Sequence, residues 1–307
     1  MAKPPRILLP KSLVFITSRV QSGLPFVAHK LMNEQILGII GRAQYLYEVK
    51  ICALLFMGNH FHMLAIVTNK ESIPAFMRRI KTETALLVNK YLDRRQQSVW
   101  CAGYDCVPIL TPEDAINKFV YLYTNPQRAK ICQKIEHYGG LSTWDSFIKD
   151  KKFINCSWKG RQSVVSVAKK ETQTYQFEIS SLEWIDIVFN GCYKATEAKE
   201  RIVYLVQEFQ KNYCIKKIPE SIKNDLKKEI NKNKEFQPKK FGQRMWCICS
   251  DVSKRIDFIK FIKHLRQIAT RVFQKWKKGD YSEEYPLEFF SPRRPSVINL
   301  IQFSYAN

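Results

Sequence analysis

The chain has 307 residues, about two domains at roughly 150 residues each, and 45% of them are hydrophobic, which is enough for packed cores and excludes a disordered tail or a mini-protein. Fifty Lys and Arg against 28 Asp and Glu leave a formal net charge of +22, which argues against small-molecule metabolism and for a polyanionic ligand. Up to residue 150 there are 19 basic and 11 acidic residues (+8), and beyond it 31 and 17 (+14), so both halves are basic.

The opening MAKPPRILLP lacks the charged-then-apolar order of a signal peptide. The longest clearly apolar run, Ile51 to Met57, is far short of the about 20 residues that span a membrane, so a soluble, cytoplasmic protein with no membrane partner is expected. Nine cysteines without a C-x-x-C pair read as reduced thiols. Cys247 and Cys249 form the one tight pair, too few for zinc without a second pair or a close histidine.

In chain order, Leu13 to Arg19 is rich in β-branched and aromatic residues and predicts a first strand. Leu31, Ile36, Leu37, Ile39, Ile40, Ala43 and Leu46 then recur at helical spacing. Tyr47 to Met57 and His60 to Thr68 read as two antiparallel strands around a Gly58-Asn59 turn. A helix is predicted from about Ile73 to Asp93, with Ser72 as its cap and Arg78, Arg79 and Lys81 clustered in its first half. Trp100 to Leu110 predicts a further strand, which Pro108 confines to an edge. Thr111-Pro-Glu-Asp is a strong helix start, with a Thr cap, Pro in the first helical position and acids in the first turn. Pro126 predicts that this helix ends at about Asn125.

That order fits an α+β, ferredoxin-like core with an antiparallel sheet over residues 1–150. Residues 151–307 read as a basic, mainly helical accessory region, with helical stretches at Ser181 to Cys214 and Val252 to Lys278 around a polar run from Lys227 to Lys240.

Five histidines are present, and two of them stand two apart as His60-Phe61-His62 on a predicted strand. Period-two alternation sends both imidazoles to one face and Phe61 to the other, where the pair can offer two nitrogens to one ion. Two histidines do not close a structural site, so a third ligand and a nucleophile are required. The helix from Thr111 supplies a candidate for each: Tyr121 and Asn125 are four apart and share a face, and Asn117 lies one turn earlier on it. Tyr123 falls on the stripe with Ile116 and Val120 and reads as core.

Residues 5 to 146 resemble the REP-associated tyrosine transposases, a branch of the single-tyrosine HUH transposases. The resemblance rests on FITSR at Phe15 to Arg19, MGNHFHML at Met57 to Leu64, MRRIK at Met77 to Lys81 with Asn89 beyond it, Trp100 followed by Tyr104, YLYTNPQRA at Tyr121 to Ala129, and LSTWDS at Leu141 to Ser146, all in the family's order. It implies Tyr121 as nucleophile, His60, His62 and Asn125 as ligands of Mg²⁺ or Mn²⁺, and a basic helix residue at Lys81. It further implies a single-stranded DNA endonuclease and strand transferase that recognises hairpins from palindromes and forms a 5′-phosphotyrosine link. Arg78 and Arg79 join Lys81 as candidate phosphate contacts. Gly58 departs from the proline usual before the Asn-His step, and Cys101 and Gly103 stand where the family more often has Gln and Arg. A domesticated, non-catalytic nucleic-acid-binding regulator is the alternative, and the oligomeric state is open.

Overall fold

The computed structural model describes residues 8–21, 30–95, 97–101, 103–159, 172–213 and 245–292. The Lys227 to Lys240 run, His29 and Cys214 lie outside the described residues. Strands β1 (Leu13–Arg19), β2 (Lys50–Phe56), β3 (His60–Ile66) and β4 (Asp105–Ile109) form an antiparallel sheet in the order β2-β3-β1-β4. Helix α1 (Lys30–Tyr47) joins β1 to β2, and α2 (Ser72–Tyr91) joins β3 to β4. This is the ferredoxin-like arrangement, extended by α3 (Pro112–Arg128).

Both faces of the sheet are covered, which is why β2 and β3 are buried along nearly their whole length and read as apolar runs rather than as alternating patterns. On one face Val14, Ile16, Leu54, Phe56, Phe61 and Met63 pack against α1 and α2. On the other, Leu13, Phe15, Leu55, Leu64 and Ile66 pack against α3 through Ile116, Phe119, Leu122 and Tyr123. The same layer receives Trp144 and Phe147 from α4 (Trp144–Ile148).

After residue 150 the chain first forms a hairpin, β5 (Phe153–Lys159) with β6 (Thr172–Glu178), a departure from the helices expected there. It lies on the outer side of α1, where two glycines let its backbone approach. A Cβ at Gly38 would stand 2.1 Å from the Ser157 carbonyl oxygen, and one at Gly41 would stand 2.4 Å from Cys156 Sγ. Gln44 of α1 fixes the hairpin: its Nε2 donates to the carbonyls of Val49 and Glu178, each at 2.9 Å, and its Oε1 accepts from Glu178 N at 2.8 Å. Glu83 of α2 adds a polar clamp, accepting from Trp158 Nε1 at 2.7 Å and pairing with Arg42 at 2.9 Å and Arg79 at 2.8 Å.

Helices α5 (Trp184–Phe189) and α6 (Ala195–Asn212) then return to the α3 face, where Trp184, Ile185, Ala198, Ile202 and Val206 complete the core. Packing is therefore continuous across residue 150, and that position marks no seam in either core. The 26-residue helix α7 (Val252–Lys277) buries Ile262, Leu265, Ala269, Val272 and Trp276 along one stripe. Among the described residues no helix is long and apolar enough to cross a membrane.

Three details correct the local expectations. Ser72 is the first helical residue of α2 rather than its cap, and the Asn69 side chain accepts from the backbone N–H groups of Glu71 and Ser72 at 2.9 and 2.8 Å. Helix α3 continues through Pro126 to Arg128. So near the C-terminal end a proline costs one internal hydrogen bond and is tolerated, because Ala129 N still reaches Asn125 O at 2.9 Å. The strand expected from Trp100 is confined to Asp105–Ile109, with Trp100 bridging Val20 separately. Pro108 does sit on the edge strand, and that edge is covered: Ile248 N donates to Pro108 O at 2.8 Å and Leu110 N to Ile248 O at 3.1 Å.

Candidate active site

The site lies on the α3 face of the sheet. Register sets His62 opposite Thr17 of β1 and Leu55 of β2, and His60 opposite Arg19. Phe61 points through to the other layer, stacked on Phe56 at 4.8 Å and edge-on to Trp100 at 5.6 Å, so the alternation splits the H-x-H triplet as its spacing requires. The two imidazoles meet edge to face with ring centroids 4.8 Å apart.

Helix α3 is laid over them from a defined start. The Thr111 side chain accepts from Asp114 N at 3.2 Å, and Pro112 opens the helix. From that start, Tyr121 and Asn125 fall on the face turned toward β3. Asn125 is buried, with its Nδ2 2.8 Å from His62 Nε2. The Tyr121 ring is half-buried and stands edge-on to both His62, at 5.7 Å, and Phe15, at 6.1 Å, while Phe15 stacks flat on His62 at 5.3 Å. The structure thus brings Tyr121, His60, His62 and Asn125 together. Tyr123, two residues from both Tyr121 and Asn125 and so on the other side of the helix, is buried in the core with its hydroxyl 3.3 Å from Thr143 Oγ1, and burial pushes its phenol well above the usual tyrosine range.

Electrostatics keep both histidines neutral. Burial and then the Arg19 charge lower His60 to about 4. Burial, His60, Arg19 and Lys118 together lower His62 to about 3. Near neutral pH both rings therefore carry a lone pair rather than a second proton, the form that binds a cation. His60 Nδ1 is held by Asn59 Oδ1 at 2.7 Å, and His62 Nδ1 is buried without a protein partner. Among the described residues no group of three His, Cys, Asp or Glu could hold a metal ion.

Two cations flank the tyrosine that the residue pattern alone did not single out. Lys118 Nζ lies 5.0 Å from the Tyr121 ring centroid and 5.4 Å from that of Phe15, and the Arg128 guanidinium lies 5.9 Å from the Tyr121 ring. Their spacing from Tyr121, three before and seven after, is the signal that places them on its helix face. Burial lowers the Lys118 ammonium from its usual range. Arg128 is steadied by Thr124 Oγ1 at 3.0 Å and by the Phe209 ring of α6 at 4.2 Å.

The basic residues of α2 do not form one patch. Arg79 is taken up by the ion pair with Glu83, and Arg78 is exposed. Lys81 donates to the carbonyl of Cys101 at 3.1 Å and to that of Gly103. Cys101 N in turn donates to Arg19 O at 2.9 Å, so Lys81 secures the loop beside the strand end that faces His60. Cys247 and Cys249 are buried beside the covered edge of β4, and burial raises the Cys247 thiol to about 11, which keeps it protonated.

Residues 18–122 match a family model described as IS200-like transposase, a span that contains His60, His62 and Tyr121 and stops just short of Asn125. No curated protein matches the chain. Among solved structures, a REP-associated tyrosine transposase bound to a REP hairpin is similar at 14% identity and a TM-score of 0.43, over 56% of this chain and 99% of its own. A candidate transposase from Deinococcus radiodurans R1 is similar at 17% identity and a TM-score of 0.28, over 39% of this chain and 95% of its own. The tRNA(His) guanylyltransferase of Saccharomyces cerevisiae is similar at 9% identity and a TM-score of 0.32, over 48% of this chain and 74% of its own. The family match falls on the site itself: residues 18–122, with His60, His62 and Tyr121 among them, are similar to the IS200-like transposases.

Proposed function

We propose that the protein is a metal-dependent single-stranded DNA endonuclease and strand transferase, acting in the cytoplasm on hairpin-containing DNA with Tyr121 as its nucleophile. The observation that carries the proposal is the contact of His62 with both the Asn125 side chain, at 2.8 Å, and the Tyr121 ring, at 5.7 Å. It joins the candidate ligands and the candidate nucleophile at one point of the sheet. Residues 1–150 supply these groups, and residues 151–307, basic and mainly helical, serve as an accessory region, part of which packs into the same two cores.

The donor set fits a hard divalent cation. Two neutral imidazoles and a carboxamide oxygen, with positions left for water and phosphate, suit Mg²⁺ or Mn²⁺ better than a closed zinc site. His60, His62 and Asn125 would hold it, and a half-turn of the Asn125 amide exchanges its nitrogen for its oxygen at the His62 contact. Bound there, the ion would polarise the scissile phosphate and stabilise the charge that develops in an in-line displacement.

The side chains account for the rest of the step. The Tyr121 oxygen attacks phosphorus, the bond from phosphorus to the 3′ oxygen breaks, and the leaving oxygen takes up a proton to become a free 3′-hydroxyl. The strand stays attached as a 5′-phosphotyrosine, and attack by a 3′-hydroxyl on that link rejoins DNA without ATP, because one phosphodiester replaces another. Lys118 Nζ and the Arg128 guanidinium, 5.0 and 5.9 Å from the Tyr121 ring centroid, are placed to meet the phosphate that the tyrosine attacks. The test is incubation of wild-type and Tyr121→Phe protein with pooled single-stranded hairpin DNA and Mn²⁺ or Mg²⁺, read on denaturing gels. The expected result is a covalent adduct with wild type plus metal and none with Tyr121→Phe. Binding without any adduct in the wild type would favour a non-catalytic regulator.

A further inference from the structure

The described part of the chain beyond residue 244 does more than cover the edge of β4. The Ile248 pairing with Pro108 and Leu110 pins residues 245–250 beside the start of α3, and α7 leaves from there. Between them opens a cavity of about 500 Å³, lined by Asn117 and Lys118 of α3, by Trp246, and by Arg255 and Ile259 of α7. That volume lies in the range of small-molecule sites.

Lys118 is shared: it lines this cavity and also stands over the Tyr121 and Phe15 rings, so cavity and candidate nucleophile are neighbours on one helix face. The acidic wall residue, Asp114, has its Oδ2 occupied by Ser250 N at 2.9 Å, Ser250 Oγ at 3.3 Å and Thr111 Oγ1 at 2.6 Å. These bonds hold the wall together, and the two cations in the lining, Lys118 and Arg255, outnumber that one carboxylate, with Arg255 Nη1 donating to Cys249 O at 3.4 Å. Trp246 is half-buried, packed against the Ile262 and Leu265 cluster of α7, with the Arg266 guanidinium 5.3 Å from its ring, so the indole is held in place rather than loose.

An aromatic ring, apolar walls and two cations on the rim are the elements that bind one nucleotide of a single strand: the ring stacks a base and the cations meet its phosphates. We infer that this cavity is a nucleotide subsite, in which a base of the strand cut at Tyr121 stacks on Trp246 while Lys118 and Arg255 hold its backbone. The inference rests on the function proposed above and gives part of the C-terminal region a task in choosing the substrate. It also places Lys118 at the junction, where it contacts the strand between the subsite and the nucleophile.

The test uses full-length protein and a pool of hairpin oligonucleotides carrying 5-iododeoxyuridine at successive positions of both single-stranded tails, irradiated and mapped by mass spectrometry. The expected outcome is a crosslink at Trp246 from one tail position. Lys118→Gln, at a half-buried position on α3, and Arg255→Gln, at an exposed position on α7, should each lower its yield about tenfold, in protein whose melting temperature is checked against wild type. A Trp246 crosslink that neither variant weakens would overturn the subsite, since the backbone contacts would be absent. A covalent Tyr121 adduct with no crosslink at Trp246 would overturn the subsite and leave the endonuclease standing. Neither adduct nor crosslink would overturn both.

Discussion

The two faces of the sheet are built by the same strands and do opposite things. Against α1 and α2 the inward residues are apolar, from Val14 and Ile16 to Phe61 and Met63, and the polar groups at that layer's rim, Gln44 and Glu83, are matched by partners. Against α3 the same strands present His60 and His62 among Phe15, Leu64 and Ile66, and there a buried imidazole nitrogen has no protein partner. An unsatisfied buried polar atom costs about 1–3 kcal/mol; the α1 and α2 layer keeps one as well, Asn89 Oδ1, and what sets His62 Nδ1 apart is the half-buried tyrosine beside its ring and the two cations over that tyrosine. A single residue step along β3 separates the two layers, and His60-Phe61-His62 straddles it.

The largest effect expected from this division is on the reactive face. Tyr121→Phe removes one oxygen from a half-buried ring and should leave the melting temperature within a few degrees of wild type, while lowering adduct formation by about a thousandfold or more. His62→Ala should weaken Mn²⁺ binding about a hundredfold, measured by titration of the metal against purified protein. Asn125→Ala should weaken it less, by roughly tenfold, because a neutral oxygen is the weaker donor. Equal losses at the two positions would contradict a site led by the imidazoles.

On the opposite face the prediction reverses. Gly38→Ala inserts a methyl 2.1 Å from the Ser157 carbonyl oxygen and should destabilise the protein by about 1–3 kcal/mol as the hairpin β5-β6 is pushed off α1. Phe76→Ala, in the core of the same layer, should cost about 3–5 kcal/mol. Neither should change Mn²⁺ affinity below the unfolding transition. A variant of this face that lost metal binding while still folded would show that the two layers are coupled.

How much of this was legible in the sequence differs between the faces for a physical reason. Strand alternation and helical spacing act within one element, so the four-residue step from Tyr121 to Asn125, the H-x-H split, the Thr111 cap and the edge position of Pro108 were all readable. The hairpin was missed although Ile154, Cys156 and Trp158 alternate with Asn155, Ser157 and Lys159, because both strands are short and half-exposed and what seats them, Gly38, Gly41 and Gln44, lies more than a hundred residues away. The C-terminal side of the cavity was hidden for the same reason: nothing near Trp246 says that Ile248 will pair with β4. The basic residues of α2 looked like a cluster in sequence, and their partners, Glu83 for Arg79 and the carbonyls of Cys101 and Gly103 for Lys81, divide it.

That division sets the smallest prediction. If Arg78, Arg79 and Lys81 met DNA phosphates as a patch, each neutralisation would reduce the salt slope of binding by about 1. The geometry separates them. Arg78→Gln, on an exposed helix face in the layer away from Tyr121, should change neither slope nor stability by a measurable amount. Arg79→Gln should leave the slope alone and lower stability by about 0.2–1 kcal/mol, since a half-exposed ion pair on a helix is worth no more than that. Lys81→Gln should act indirectly, loosening the Cys101 to Gly103 loop that is tied to Arg19, and so weakening binding at all salt concentrations with little change of slope. Lys118→Gln, beside the nucleophile, is the change expected to flatten the slope by about 1. A slope lowered by the α2 variants and untouched by Lys118→Gln would place the DNA on the opposite layer and undo the contrast between the two faces.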